Sequence, residues 1–191
     1  MANFDADYCY SFPAVRGMQA GRPFYIATCP MRIIPKIFSF DETDVPPELR
    51  AQRILNKSRI PEMVRYLLEN PKDYVFSALT ASIAVNVQFD EFSGSNNLGT
   101  LRVPMDAQIL INDGQHRRNA IEEALDARPE LGQDNIPVLF FVDEGLKRSQ
   151  QMFADLNKYA IRPSPSLSSL YDHRDANSNL ARYLAMSVEP F

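Results

Sequence analysis

Asp113-Gly114-Gln115-His116-Arg117-Arg118 follows the apolar run Gln108-Ile109-Leu110-Ile111-Asn112 and precedes the helical pattern Asn119-Ala120-Ile121-Glu122-Glu123-Ala124-Leu125. A short buried-type strand that turns through a glycine into a helix is a building unit of α/β domains. Gly114 lets the backbone turn tightly and lets a ligand approach the main chain. The free N–H groups of the helix's first turn, together with the helix dipole, favour an anion at that point. Two arginines at a helix N-terminus oppose the dipole of an isolated helix, and an anionic partner would account for them. The alternative is structural, with Asp113 an N-cap, Gly114 a turn residue and the arginines solvated. Convergence of His116, Arg117 and Arg118 on one turn favours a phosphate site.

Outward from this turn, the chain reads as a succession of strands and helices. Upstream, Phe24-Tyr25-Ile26-Ala27-Thr28-Cys29-Pro30 is a strand closed by proline, and Ile33-Ile34 and Ile37-Phe38-Ser39-Phe40 read as further strand pieces. Residues 41–47 are acidic and proline-rich, hence a loop, and 48–56 suit a short helix. Ser58-Arg59-Ile60-Pro61-Glu62 opens another helix, with Pro61 in its first turn and Glu62 beside the positive end. Met63, Val64, Tyr66, Leu67 and Leu68 give its apolar stripe, and Asn70-Pro71 stops it. Residues 84–89 alternate as a strand does, 93–97 form a turn, and 98–103 return as a hairpin strand. Downstream, 136–142 is a core strand and 146–156 a helix. Arg162-Pro163-Ser164-Pro165-Ser166 breaks the chain before a last helix over 179–186. The pattern predicts an α/β fold, an α+β mixed sheet with flanking helices, in a single domain over residues 1–191 that suits the N-terminal part of a longer protein.

Composition narrows the class. With 45% hydrophobic and 23% charged residues the chain is globular rather than disordered. No apolar run is long enough for a bilayer, and the N-terminus lacks a signal-peptide pattern, so cytoplasm is the expected location and no membrane partner is expected. Two cysteines, Cys9 and Cys29, do not make a disulfide scaffold or a zinc pattern, and two histidines exclude a His-rich metal site. The net charge of −4 does not advertise nucleic-acid binding, though it leaves room for a local basic face. No Gly-rich Walker loop with its lysine occurs, so the chain is not a P-loop machine.

Other side chains carry weaker signals. Arg50, Arg53, Lys57, Arg59 and Arg65 form the densest basic stretch, read either as a groove for DNA phosphates or as a solvated face balanced by Glu48, Glu62 and Glu69. Arg16, Arg22, Arg32 and Lys36 gather more loosely around Cys29. Nearby positive charge would make Cys29 reactive, against the commoner fate of a small core residue. Asp155 and Asn157 close a helix, where Asn157 is either a C-cap or a group facing the Asp113 turn. The cluster Tyr171-Asp172-His173-Arg174-Asp175 reads as a charged loop and helix start before a metal site.

Asp113-Gly114-Gln115-His116-Arg117 is the signature of the DGQHR-domain proteins, and the wider sequence resembles the DndB family of DNA-phosphorothioation regulators. The resemblance extends over Asn56-Lys57-Ser58-Arg59-Ile60-Pro61-Glu62-Met63-Val64, Phe153-Ala154-Asp155-Leu156-Asn157-Lys158 and residues 166–175. It implies a fold related to ParB and sulfiredoxin, in which a similar turn holds nucleotide phosphates. The implied nucleotide is ATP, with or without Mg²⁺, on Asp113, Gly114, Gln115, His116, Arg117, Arg118 and Asn157. The resemblance also implies binding of double-stranded DNA, for which Cys29, Arg32, Arg53, Lys57 and Arg59 are the candidates, and repression of a DNA-sulfur-modification operon. A homo-oligomer is compatible with this reading. An ATPase or DNA-nicking enzyme using Asp113, His116 and Arg117 as catalytic groups is the alternative, and an adaptor without a ligand is a third.

Overall fold

The computed structural model describes residues 8–38, 59–142, 151–152, 154–156, 158, 164, 166–167, 171 and 173–187. Two compact units make up the chain, Met1–Asp155 and Leu156–Phe191.

The first unit is built on seven strands: β1 (Cys9–Gln19), β2 (Arg22–Pro30), β3 (Leu79–Ile83), β4 (Gln88–Glu91), β5 (Leu98–Pro104), β6 (Ile109–Asp113) and β7 (Asn135–Val142). They form one mixed sheet in the order β4-β5-β1-β2-β7-β3-β6. Every pairing is antiparallel except that of β3 with β7, where Leu79 lies beside Val138 and Ile83 beside Val142. The α/β class read from the sequence, with its mixed sheet and flanking helices, is the architecture found.

Along β1, β2, β5 and β7 alternate residues are buried, as period-2 patterning requires of a sheet with one covered face. All of β3 is buried, consistent with its central position next to the parallel partner. Phe12, Phe140 and Phe38 stack in series, with ring centroids 6.2 and 6.4 Å apart, and form the middle of the core. Helices α1 (Ile34–Ile37), α2 (Ile60–Glu69) and α3 (Gln115–Ala127) contribute Ile34, Ile37, Leu67, Ile121 and Ala124 to the same cluster.

Two local expectations change. Residues 33–34 and 37–38 are not strands: Met31–Ile33 is a 3₁₀ turn and Ile34–Ile37 a single helical turn, with Pro35 in its first turn. Ile34, Ile37 and Phe38 are all buried, and their i, i+3, i+4 spacing is that of one helix face, which an aliphatic-rich run conceals. Residues 39–58, including the expected loop and short helix, lie outside the described residues. The alternating stretch 84–89 straddles two strands, since β3 ends at Ile83 and β4 begins at Gln88. β3 lies next to the β6 edge and β4 is the opposite edge, so the intervening residues belong to a crossover rather than a strand.

In the second unit α4 (Ala176–Ser187) starts at Asp175, whose carboxylate accepts a hydrogen bond from the Ser178 N–H at 2.7 Å. This is an N-cap on the helix's third residue, so the acidic end of the 171–175 cluster is a helix start. Among the described residues no group of three His, Cys, Asp or Glu side chains is placed to hold a metal ion, and no helix is long and apolar enough to cross a membrane.

Candidate functional site

β6 ends at Asp113 and α3 begins at Gln115, so the whole reversal is made by Gly114 in the left-handed conformation, φ 106°. A Cβ there would sit 2.4 Å from Leu79 Cδ2 and 3.0 Å from Arg117 Nη2, which makes glycine obligatory on both backbone and packing grounds. The Arg118 N–H donates to the Gly114 carbonyl at 2.9 Å and closes the first helical turn. Gln115 folds back and its Nε2 donates to the Ile111 carbonyl at 3.2 Å.

The two arginines diverge. Arg118 is buried, and its Nε donates to the Phe38 carbonyl at 3.1 Å while Nη2 reaches the Pro35 carbonyl at 3.0 Å. The other edge of its guanidinium forms a two-pronged pair with Glu122 and a bond to Asn119 Oδ1. Arg118 therefore ties α3 to the turn at residues 35–38; its expected place among the phosphate donors is replaced by this internal role, because its donors point into protein acceptors. Arg117 is only partly engaged. Its Nη2 donates to Asp113 Oδ2 at 2.7 Å and to the Ala78 carbonyl at 3.1 Å, while Nε is buried with no acceptor among the described residues. Nε2 of His116 is likewise buried without a partner. Burial, and then the positive charges of Arg59 and Arg117, hold the His116 pKa below its usual value against the opposing pull of Asp113, so the imidazole is neutral at pH 7. Most buried polar atoms in folded proteins are paired, so two orphans behind one glycine turn require an explanation.

In front of Arg117 lies a groove of about 380 Å³ between α2 and residues 75–77, lined among others by Arg59, Met63, Tyr66, Phe76 and Ser77. Arg59 thus reaches the turn from the preceding helix. Read from the sequence as either a DNA contact or part of a solvated face, Arg59 lines the same groove as Arg117. Tyr66 and Phe76 carry no motif. Their trace in the sequence is the spacing of Arg59, Met63 and Tyr66 at i, i+4 and i+7, which aligns them on one face of α2.

The remaining predicted residues separate. Cys29, on β2, is fully buried, and burial pushes its thiol up to about 12. The expected reactive or DNA-contacting cysteine is therefore a core residue: desolvation outweighs any effect of the surrounding arginines. Arg32 is exposed, and its Nη1 donates to the Gly132 carbonyl at 3.3 Å and to Gln133 Oε1 at 3.2 Å. Asp155 is exposed and accepts from Gln151 Nε2 at 2.8 Å. Arg53, Lys57 and Asn157 lie outside the described residues. At the far edge of the sheet, Arg16 and Arg102 are paired with Glu91 and Asp90, and these cations are neutralised within the fold.

The donor set suits an anion better than a bare metal ion. Arg117 lies against Gly114 with its Nε–H unpaired among the described residues and Arg59 lines the same groove, whereas the Asp113 carboxylate is engaged with Arg117.

The family profile of DndB, described as DNA-sulfur modification-associated, matches residues 12–191, nearly the whole chain. The chain belongs to the DndB family. No curated protein and no solved structure matches it.

Proposed function

We propose that this DndB-family chain is a DNA-binding repressor of a DNA phosphorothioate-modification operon, and that ATP, alone or with Mg²⁺, seats its phosphates at Asp113–Arg117 and alters DNA affinity. Family membership supports the link to DNA-sulfur modification. The nucleotide is carried by one observation: Arg117 Nε and His116 Nε2 are buried at the Gly114 turn with no partner among the described residues.

In this reading Arg117 and Arg59 neutralise phosphate charge, and the first-turn N–H groups of α3 donate to phosphate oxygens. Asp113 and the Ala78 carbonyl both accept from Arg117 Nη2 and hold the guanidinium in place. DNA is met by other basic residues, Arg32 and the 50–57 stretch being the candidates. Coupling follows from linkage: if ATP changes affinity for DNA, DNA changes affinity for ATP by the same factor.

The test compares wild type with Arg117→Ala for binding of labelled ATP and of duplex DNA from the region upstream of the modification genes. Wild type should bind duplex with an affinity that falls as salt rises and that changes on adding ATP. Arg117→Ala should lose ATP and the ATP effect while keeping DNA. Absence of duplex binding at low salt, with and without ATP, would remove the regulator. The alternative, hydrolysis or nicking, draws on the neutral imidazole of His116, which can accept a proton; phosphate release or nicking that persists undiminished in His116→Ala would dismiss it.

A further inference from the structure

The groove in front of Arg117 is lined both by the cations Arg59 and Arg117 and by the side chains of Met63, Tyr66 and Phe76. Tyr66 and Phe76 lie nearly parallel, with ring centroids 6.1 Å apart and planes 22° from each other. Tyr74 abuts Phe76 edge-on at 6.2 Å. The Val75 N–H donates to the Tyr66 hydroxyl at 2.8 Å, which fixes that ring against the 75–77 segment. Glu62, one helical turn after Arg59, also lines the groove, and among the described residues neither Arg59 nor Glu62 takes part in an ion pair.

The geometry points to a base-binding subsite, in which Phe76 and Tyr66 receive the face or edge of a purine and Glu62 accepts a hydrogen bond from its exocyclic amine. This rests on the nucleotide reading of the Asp113 turn and extends it from the phosphates to the base. A flat aromatic ligand gains from aromatic surface whichever base it carries. The carboxylate supplies the discrimination, since an unprotonated Glu62 can only accept: it matches the 6-amine of adenine and repels the 6-carbonyl of hypoxanthine. A groove of about 380 Å³ takes a base and sugar, with the phosphates extending to Arg117 and the Gly114 turn. The lining carries both kinds of charge this reading needs, Arg59 and Arg117 for the phosphates and the Glu62 carboxylate for the amine.

The experiment measures, by calorimetry on the full chain, affinity for ATP, inosine triphosphate and inorganic tripolyphosphate at matched ionic strength. Wild type should bind ATP at least about tenfold more tightly than tripolyphosphate, with inosine triphosphate between them. Phe76→Ala should bring ATP down toward tripolyphosphate, and Glu62→Met should bring ATP down to inosine triphosphate. Phe76 is partly buried, so unliganded melting of each variant is recorded; Glu62 is exposed and its variant tests the idea even where Phe76→Ala folds poorly. Equal binding of ATP and tripolyphosphate by wild type would overturn the base subsite and leave the phosphate site standing. Binding of neither would remove both. A preference for ATP that survives both substitutions would also overturn it.

Discussion

Arg117 and Arg118 are neighbours on one helical turn, and the regions they enter differ in how completely they use a cation. On the flank facing residues 35–38, every face of the Arg118 guanidinium meets a carbonyl, an amide oxygen or a carboxylate. On the flank facing α2 and residues 75–78, Arg117 reaches one carboxylate and one carbonyl, and its Nε, like Nε2 of His116, has no partner among the described residues. A buried polar group without a partner carries a desolvation cost that folding alone does not recover, whereas a fully satisfied one adds to the stability of the fold. The paired flank is therefore part of the fold's construction. The unpaired flank is the one with capacity for a ligand.

The largest effect should separate the two flanks by stability. Arg118→Ala strips donors from the carbonyls of Pro35 and Phe38, and each buried carbonyl left unpaired costs about 1–3 kcal/mol, so a loss of about 3 kcal/mol is expected in denaturant unfolding. Arg117→Ala removes a donor from one carbonyl only and should cost clearly less, its main effect being on the ligand. Equal losses in the two variants would erase the distinction between the flanks.

That division was only half legible in the sequence. Strand, glycine and helix at 109–127 follow from apolar patterning and from the demand for φ > 0 at one residue, both local properties. Which of two adjacent arginines turns inward depends on where residues 35–38 sit, and no local pattern carries that information. Arg59 joins the site for the same reason: α2 and α3 pack together only in the folded chain. Pro13 sits in mid-β1 without disrupting it, because the β1–β2 register begins at Ala14 and Pro13 is paired only with Thr100 of β5. At Cys29 charged sequence neighbours argue for a reactive thiol and the commoner fate for a core residue, and complete burial, which raises the pKa, decides for the core.

A smaller effect comes from the turn itself. Gly114→Ala puts a methyl group against Leu79 at a φ of 106°, and strain of this kind costs about 1–3 kcal/mol, so a loss of about 2 kcal/mol is expected. Gly94 provides the control. It too has a positive φ, 84°, but nothing lies within 4 Å of its missing Cβ, so Gly94→Ala should show backbone strain without collision and lose less. Thermal unfolding of the pair isolates the packing contribution at the turn. If Gly94→Ala proves as costly as Gly114→Ala, the close approach of Leu79 and Arg117 to the glycine contributes nothing.

The smallest effect is a pH dependence, and it reads the unpaired flank directly. Burial, Arg59 and Arg117 depress the His116 pKa in the folded chain, whereas the unfolded chain titrates near the ordinary value of about 6.5. As pH falls below that value the unfolded state takes up a proton first, so the contribution of the neutral imidazole is present above about 6.5 and is lost as pH falls through the folded pKa. His116→Gln should flatten this acid-side slope in urea titrations, by an amount limited by the partial exposure of the site. An anion seated at the turn reverses the sign of the local field: phosphate charge raises the His116 pKa, so ligand binding should strengthen on acidification and take up protons. Proton uptake is measurable as a dependence of calorimetric heat on buffer ionisation enthalpy. Its appearance in wild type and disappearance in His116→Gln would place the anion beside this imidazole. Identical proton uptake in the two proteins would move the anion elsewhere and leave the orphaned nitrogen as a cost carried by the fold.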